Sequence, residues 1–97
     1  MATYIVLVNW TDQGVRAVKE TVNRAKAFRE VAAGMGVKVG SVLWTLGPYD
    51  LVITFDAPDD ETATRVGLAL ALQGNVRSTT MRAFGEVEMT GILSGLK

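Results

Sequence analysis

The sequence predicts an α+β fold of the ferredoxin-like kind, βαββαβ with a short C-terminal helix, in which a four-stranded antiparallel sheet carries both long helices on one face. Three observations predict it. Four β-rich apolar runs are set apart by turn residues, two stretches of three-four apolar spacing follow the first and third runs, and a Gly-Pro turn signal joins the second run to the third.

Thr3 to Trp10 (TYIVLVNW) is the first strand, apolar enough to be buried. Thr11 or Asp12 then caps a helix. Val15, Val18, Val22, Ala25, Phe28 or Arg29, Ala32 and Met35 form its stripe, and Gly34 and Gly36 stop it. A helix from Asp12 to Met35 would measure about 36 Å at its rise per residue. An eight-residue strand covers only about 27 Å. That helix must therefore bend or break near its end, or overhang the sheet.

Val37 to Leu46 is the second strand, with Gly40 as the place for a bulge. Gly47-Pro48 turns the chain, and Tyr49 to Asp56 is the third strand. Ala57-Pro58-Asp59-Asp60-Glu61 opens the second helix: Asp59 is the cap, and acids in a first turn suit the helix dipole. It runs to about Gln73, where Gly74-Asn75 ends it. Val76 to Phe84 is the fourth strand. In the tail, Met89, Ile92, Leu93 and Leu96 keep helical spacing, weakened by Gly91 and Gly95. No linker or repeat divides residues 1–97, which read as one domain near the small end of the usual range.

Composition removes several chemistries. The chain has no cysteine and no histidine, so thiol nucleophiles, Ser-His-Asp schemes and His-rich zinc sites are excluded. Only tyrosines and methionines are left as haem ligands, and no cofactor or metal is expected. Ten basic and ten acidic residues cancel, whereas a nucleic-acid binder normally gathers a basic excess on one face. The run YIVLV is much too short for a membrane span, and a cytoplasmic protein is expected. Asp59, Asp60 and Glu61 are explained by capping without a metal.

The strands do not alternate cleanly between apolar and polar, as one wet sheet face would require. With a two-residue loop at Gly47-Pro48, Trp44 stands opposite Leu51. One face then carries Val42, Trp44, Leu46, Tyr49, Leu51, Ile53 and Phe55, a continuous core. The other carries Val39, Leu43 and Val52 among polar residues, and the first strand is apolar in both parities, with Ile5 and Leu7 on one side and Tyr4, Val6, Val8 and Trp10 on the other. The second helix, with VGLALALQ, is apolar nearly all round. Such surfaces mark association, and a two-fold homodimer or higher oligomer is the simplest cover.

TDQGV at Thr11 to Val15, TLGPYDLV at Thr45 to Val52, APDDETA at Ala57 to Ala63 and GNVRSTTMRAF at Gly74 to Phe84 resemble the small bacterial and archaeal GYD-domain proteins. Their Gly-Tyr-Asp element stands here as Gly47, Tyr49 and Asp50. The resemblance covers nearly the whole chain. It implies a ferredoxin-like fold of the dimeric α/β-barrel type and no particular activity. The start of the third strand also resembles the ligand-sensing domain of leucine-responsive regulators, without their helix-turn-helix segment.

The candidate site residues are Tyr49, Asp50, Trp10, Trp44, Arg82 and Asn9. Asp50 either bonds turn amides or faces a cleft between subunits, where it is the candidate proton acceptor. Trp10 and Trp44 are core or pocket wall. Arg82 needs a carboxylate, with Asp50 and Asp56 as candidates, or an anionic ligand. Asn9, Thr54 and Thr80 can add orienting hydrogen bonds. The first functional expectation is an oligomeric module that binds or senses a small apolar or anionic metabolite at the subunit interface. The alternatives are a cofactor-independent oxygenase or isomerase and a purely structural oligomer.

Overall fold

A computed structural model describes residues 1–97. Strands β1 (Ala2–Trp10), β2 (Lys38–Trp44), β3 (Leu51–Ala57) and β4 (Val76–Ala83) form one antiparallel sheet in the order β2-β3-β1-β4. Helices α1 (Asp12–Arg16) and α2 (Thr21–Gly34) connect β1 to β2. Helix α3 (Asp60–Leu72) connects β3 to β4, and α4 (Glu86–Leu93) ends the chain. This is the expected ferredoxin-like order with its short terminal helix.

The long first helix breaks rather than bends. Between α1 and α2 lies a 3-10 turn, Val18–Glu20, so only the fourteen residues of α2 lie along the sheet. The Arg24 guanidinium holds the break by donating to the carbonyls of Ala17 (2.8 Å) and Gly14 (3.3 Å). Both caps arise from short polar side chains. Thr11 Oγ1 accepts from the Gly14 amide (3.2 Å) and Asp59 Oδ1 from the Thr62 amide (2.8 Å). The bonds to Thr62 hold the Asp59 carboxyl below the usual carboxylate range.

Period-two alternation places the core. Tyr4, Val6 and Val8 of β1 and Leu51, Ile53, Phe55 and Ala57 of β3 are buried beneath the helices, where Phe28, Ala32, Ala63 and Val66 meet them. Tyr4 stacks on Phe55 with centroids 5.3 Å apart. Trp44 pairs with Leu51 in the expected register. Gly40 does mark a bulge: the register shifts between Val39 and Val42, so that Gly40 and Ser41 share Thr54. The Ser41 amide donates to Thr54 Oγ1 (2.9 Å), which would sit 2.8 Å from a Cβ at position 40.

The bulge corrects one face assignment. An extra residue resets the alternation, so Val39 packs on the core with Val42 instead of facing away. At the hairpin tip the correction runs the other way. Leu46, Trp44 and Tyr49 are exposed, because the strands stop at Trp44 and Leu51 and the helices do not reach beyond them.

Opposite the helices the sheet is bare. Pairing puts Leu43, Val52, Leu7 and Thr79 in one row, and Thr54, Ile5 and Met81 in the next. Leu43 is 59% exposed and Met81 42%, and no element of the chain covers them. Buried residues number 14 of 97, which leaves a thin core for a chain this long. The accessible surface, 6467 Å², exceeds by about 1,100 Å² the roughly 5,400 Å² of a compact monomer of this mass. The radius of gyration, 14.6 Å, likewise exceeds the about 12.5 Å of a compact chain. No helix is long and apolar enough to cross a membrane.

Candidate functional site

The candidate residues fall at two separate ends of the sheet. Asp50, Trp10, Asn9, Tyr49 and Trp44 gather where the β2–β3 hairpin meets the end of β1. The Asp50 backbone prolongs the sheet: its amide donates to the Val8 carbonyl (2.8 Å) and its carbonyl accepts from the Thr45 amide (2.9 Å). Its carboxylate accepts from the Trp10 amide (2.9 Å). Asp50 thereby satisfies a backbone donor just past the last β1–β3 pair. Thr45 Oγ1 donates to the Tyr49 carbonyl (2.6 Å), closing the turn.

This role predicts a particular pair of results. Asp50→Ala leaves the half-buried Trp10 amide without its acceptor and is expected to cost about 1–2 kcal/mol. Asp50→Asn keeps a carbonyl oxygen in place and should lose less than half as much. Chemical denaturation of the two variants separates them, and equal losses would contradict the role.

The aromatic residues here differ in burial. Trp10 packs on the core and walls a recess of about 50 Å³ with Val8, Phe28, Ile53, Leu70 and Val76. Liquid water occupies about 30 Å³ per molecule, so this recess has no room for a metabolite. The indole N–H of Trp44 donates to Thr21 Oγ1 (3.0 Å), tying β2 to the start of α2. Asn9 lies on the bare sheet face opposite Arg77.

At the other end, Arg82 pairs across the sheet with Tyr4. Its partner is neither Asp50 nor Asp56. Nη2 donates to Glu88 (2.8 Å), Nη1 donates to the carbonyls of Thr3 and Ala83, and the guanidinium lies 4.6 Å from the Phe84 ring centroid. Asp56 instead accepts from the Thr3 hydroxyl (2.7 Å). The Arg82 hydrogen bond holds the Glu88 carboxyl below its ordinary range. Six residues of β1 separate Tyr4, beside Arg82, from Trp10, beside Asp50, a span of about 20 Å. One chain therefore does not bring Asp50 and Arg82 together.

Arg82 does border the largest concavity, an open groove of about 870 Å³ between α3 and β4. The helix contributes small residues to it, Ala63, Gly67 and Ala71 among them, and β4 contributes Ser78 and Thr80. On its floor the buried Tyr4 hydroxyl donates to Asp60 Oδ1 (2.5 Å). That bond raises the Tyr4 pKa above the ordinary phenol value, and desolvation and the Asp60 charge act in the same direction. The Tyr4–Asp60 pair could not be read from the sequence, since 56 residues separate its members. A weak signal did exist: Ser78 and Thr80 share the helix-side parity of β4, where a closed core would carry apolar residues.

The two sheet edges also differ. At the β2 bulge, the carbonyls of Val39 and Gly40 are taken by Arg29 (3.2 and 3.3 Å). The β4 edge is eight residues long and regularly paired to β1 on one side only. Bulges and covered carbonyls blunt an edge, whereas a regular open edge invites a further strand.

Four antiparallel strands in the order β2-β3-β1-β4, with both long connections on one face, define a ferredoxin-like α+β protein. The GYD domain model matches residues 4–93, and the chain belongs to the GYD domain family. It is similar to the glutamine synthetase and cystathionine beta-lyase binding protein of Thermus thermophilus, with 37% identity over 84 residues, 86% of this chain and 88% of that protein. It is also similar to the crystal structure of TTHA0845 from Thermus thermophilus, with a TM-score of 0.56 and 30% identity, covering 88% of this chain and 95% of that one.

Proposed function

We propose that this chain is a self-associating binding module, a single GYD unit that joins its own copies through the bare sheet face and takes its ligand elsewhere. The observation that carries this reading is the apolar patch of Ile5, Leu7, Leu43, Val52 and Met81, which no part of the chain covers. The surplus surface of about 1,100 Å² is comparable with the roughly 800 Å² that each partner contributes to a standard interface. An uncovered apolar patch of this kind favours association over a lone monomer.

For the ligand, the preferred reading is a partner protein. The Thermus relative is named for binding two enzymes, and the open β4 edge beside the α3 groove suits an added extended segment. A small apolar or anionic metabolite is the second reading, supported by the groove, whose about 870 Å³ lies within the usual span of ligand pockets. The oxygenase or isomerase reading needs Asp50 beside a charge stabiliser. Within one chain Arg82 stands at the far end of the sheet and Asp50 already accepts from Trp10, so binding is favoured over catalysis.

Titrating the immobilised chain with glutamine synthetase and cystathionine beta-lyase of its own organism tests the preferred reading. Saturable binding is expected, weakened by Thr80→Pro, which bars strand addition at the β4 edge. The fold of that variant is checked by circular dichroism. Binding of neither enzyme, with a metabolite that stabilises the chain in a thermal-shift panel, would favour the second reading instead.

A further inference from the structure

The end of the chain is built in a way that a single copy does not explain. Every residue from Phe84 to Lys97 is exposed, and α4 packs in no layer with the sheet or the other helices. Met89, Ile92 and Leu93 nevertheless line one side of it, Leu96 follows just beyond its end, and Val87, on another side, is 87% exposed. Isolated helices shorter than about 12 residues are marginal in water, and an apolar stripe gains its stability by burial. An eight-residue helix with that stripe needs a surface to lie on.

Its own chain does not offer one. Glu88 accepts from Arg82 (2.8 Å) and from the Gly85 amide (3.4 Å), which fixes the direction of α4 at its first turn. The molecule measures 52 × 31 × 17 Å. That long axis is roughly twice the length of an eight-residue strand. The helix is held away from the body as an arm.

We propose that α4 is an exchange arm, which packs against a second copy of this chain at the border of the bare sheet face. This inference rests on the self-association proposed above and names the segment that completes it. A two-fold pair satisfies both needs at once, since each copy has one unsheltered arm and one uncovered apolar face. Charge agrees with this occupant. Glu86 on the arm and Arg77 on the bare face have opposite signs and no ion pair within the chain, so the two can meet across a pair.

The test uses the full chain. Hydrogen exchange of amides 87–96 is followed above and below the association midpoint, and the double variant Met89→Lys/Ile92→Lys is compared by sedimentation. Both side chains are exposed in the single chain, so the variant keeps its fold. Arm amides protected only in the associated sample are expected, with self-association weakened about tenfold or more in the variant. A stable dimer whose arm exchanges freely and whose variant associates normally would overturn the arm while sparing the reading beneath it. Protection that is independent of concentration would mean that the arm folds on its own chain, and would overturn it too. A wild-type chain that stays monomeric would remove both.

Discussion

Gly14→Ala is expected to destabilise the protein by about 3 kcal/mol, at the upper end of overpacking effects. The direction is informative, because alanine is the better helix former by about 1 kcal/mol and Gly14 lies inside α1 with an ordinary negative φ. Propensity alone predicts a gain. Space reverses it: a Cβ at position 14 would sit 2.0 Å from the Asn75 carbonyl oxygen and 3.0 Å from its carbon. Those are backbone atoms and cannot swing aside. The same oxygen accepts from the Thr11 amide (3.0 Å), while Thr11 Oγ1 donates to the Gly74 carbonyl (2.6 Å) and Gln13 Nε2 to the Gln73 carbonyl (3.0 Å). Making room therefore loosens the stitches that join α1 to the loop between α3 and β4. Gly34→Ala is the control. It ends α2 with nothing near its missing side chain, and no loss is expected there. Urea unfolding at unchanged slope measures both, and equal stabilities would refute the contact.

Leu7→Lys is expected to abolish the proposed self-association without unfolding the chain. Leu7 is half-buried at the middle of the bare face, between Val52 and Thr79. In a monomer a lysine there lays its stem on the sheet and keeps its ammonium in water. Between two sheets the ammonium would be drawn out of water. A cost of about 3 kcal/mol, or roughly a hundredfold in the dissociation constant, follows. Glu30→Lys, exposed on α2 away from that face, should leave association unchanged. A melting curve near that of the wild type would establish that Leu7→Lys acts on assembly and not on folding.

Much of this fold is legible from local patterns. The parity of Tyr4, Val6 and Val8 against Ile5 and Leu7 separates the two sheet faces. Gly47-Pro48 sets Trp44 opposite Leu51, Asp59 announces α3, and Gly40 announces the bulge. What escapes is whatever depends on distant or cumulative effects. Val39 changes face because the bulge adds a residue, and counting by twos does not reveal on which side the extra residue is absorbed. Asp12 to Met35 can be recognised as too long, but the break at Val18–Glu20 is held by Arg24 reaching two particular carbonyls. Leu46 reads as core by parity, yet it is fully exposed because the helices end short of it.

The candidate site was legible only in part. Asp50 admits both a turn role and a cleft role by type, whereas its carboxylate accepts from the Trp10 amide at the end of β1, a partner that neither reading names. Arg82 asks for an acid, but nothing local points to Glu88, because the tail comes back within reach only through the geometry of Gly85. The α3–β4 groove arises from small residues on the helix facing hydroxyls on an edge strand. That juxtaposition belongs to the topology and not to any motif.

Sedimentation equilibrium of the wild-type chain, across low to high micromolar concentration, tests the proposed pairing of bare sheet faces most directly. A mass that rises with concentration to twice or more that of one chain is predicted, with Leu7→Lys remaining at one. A single-chain mass throughout that range, unchanged by Leu7→Lys, would contradict it.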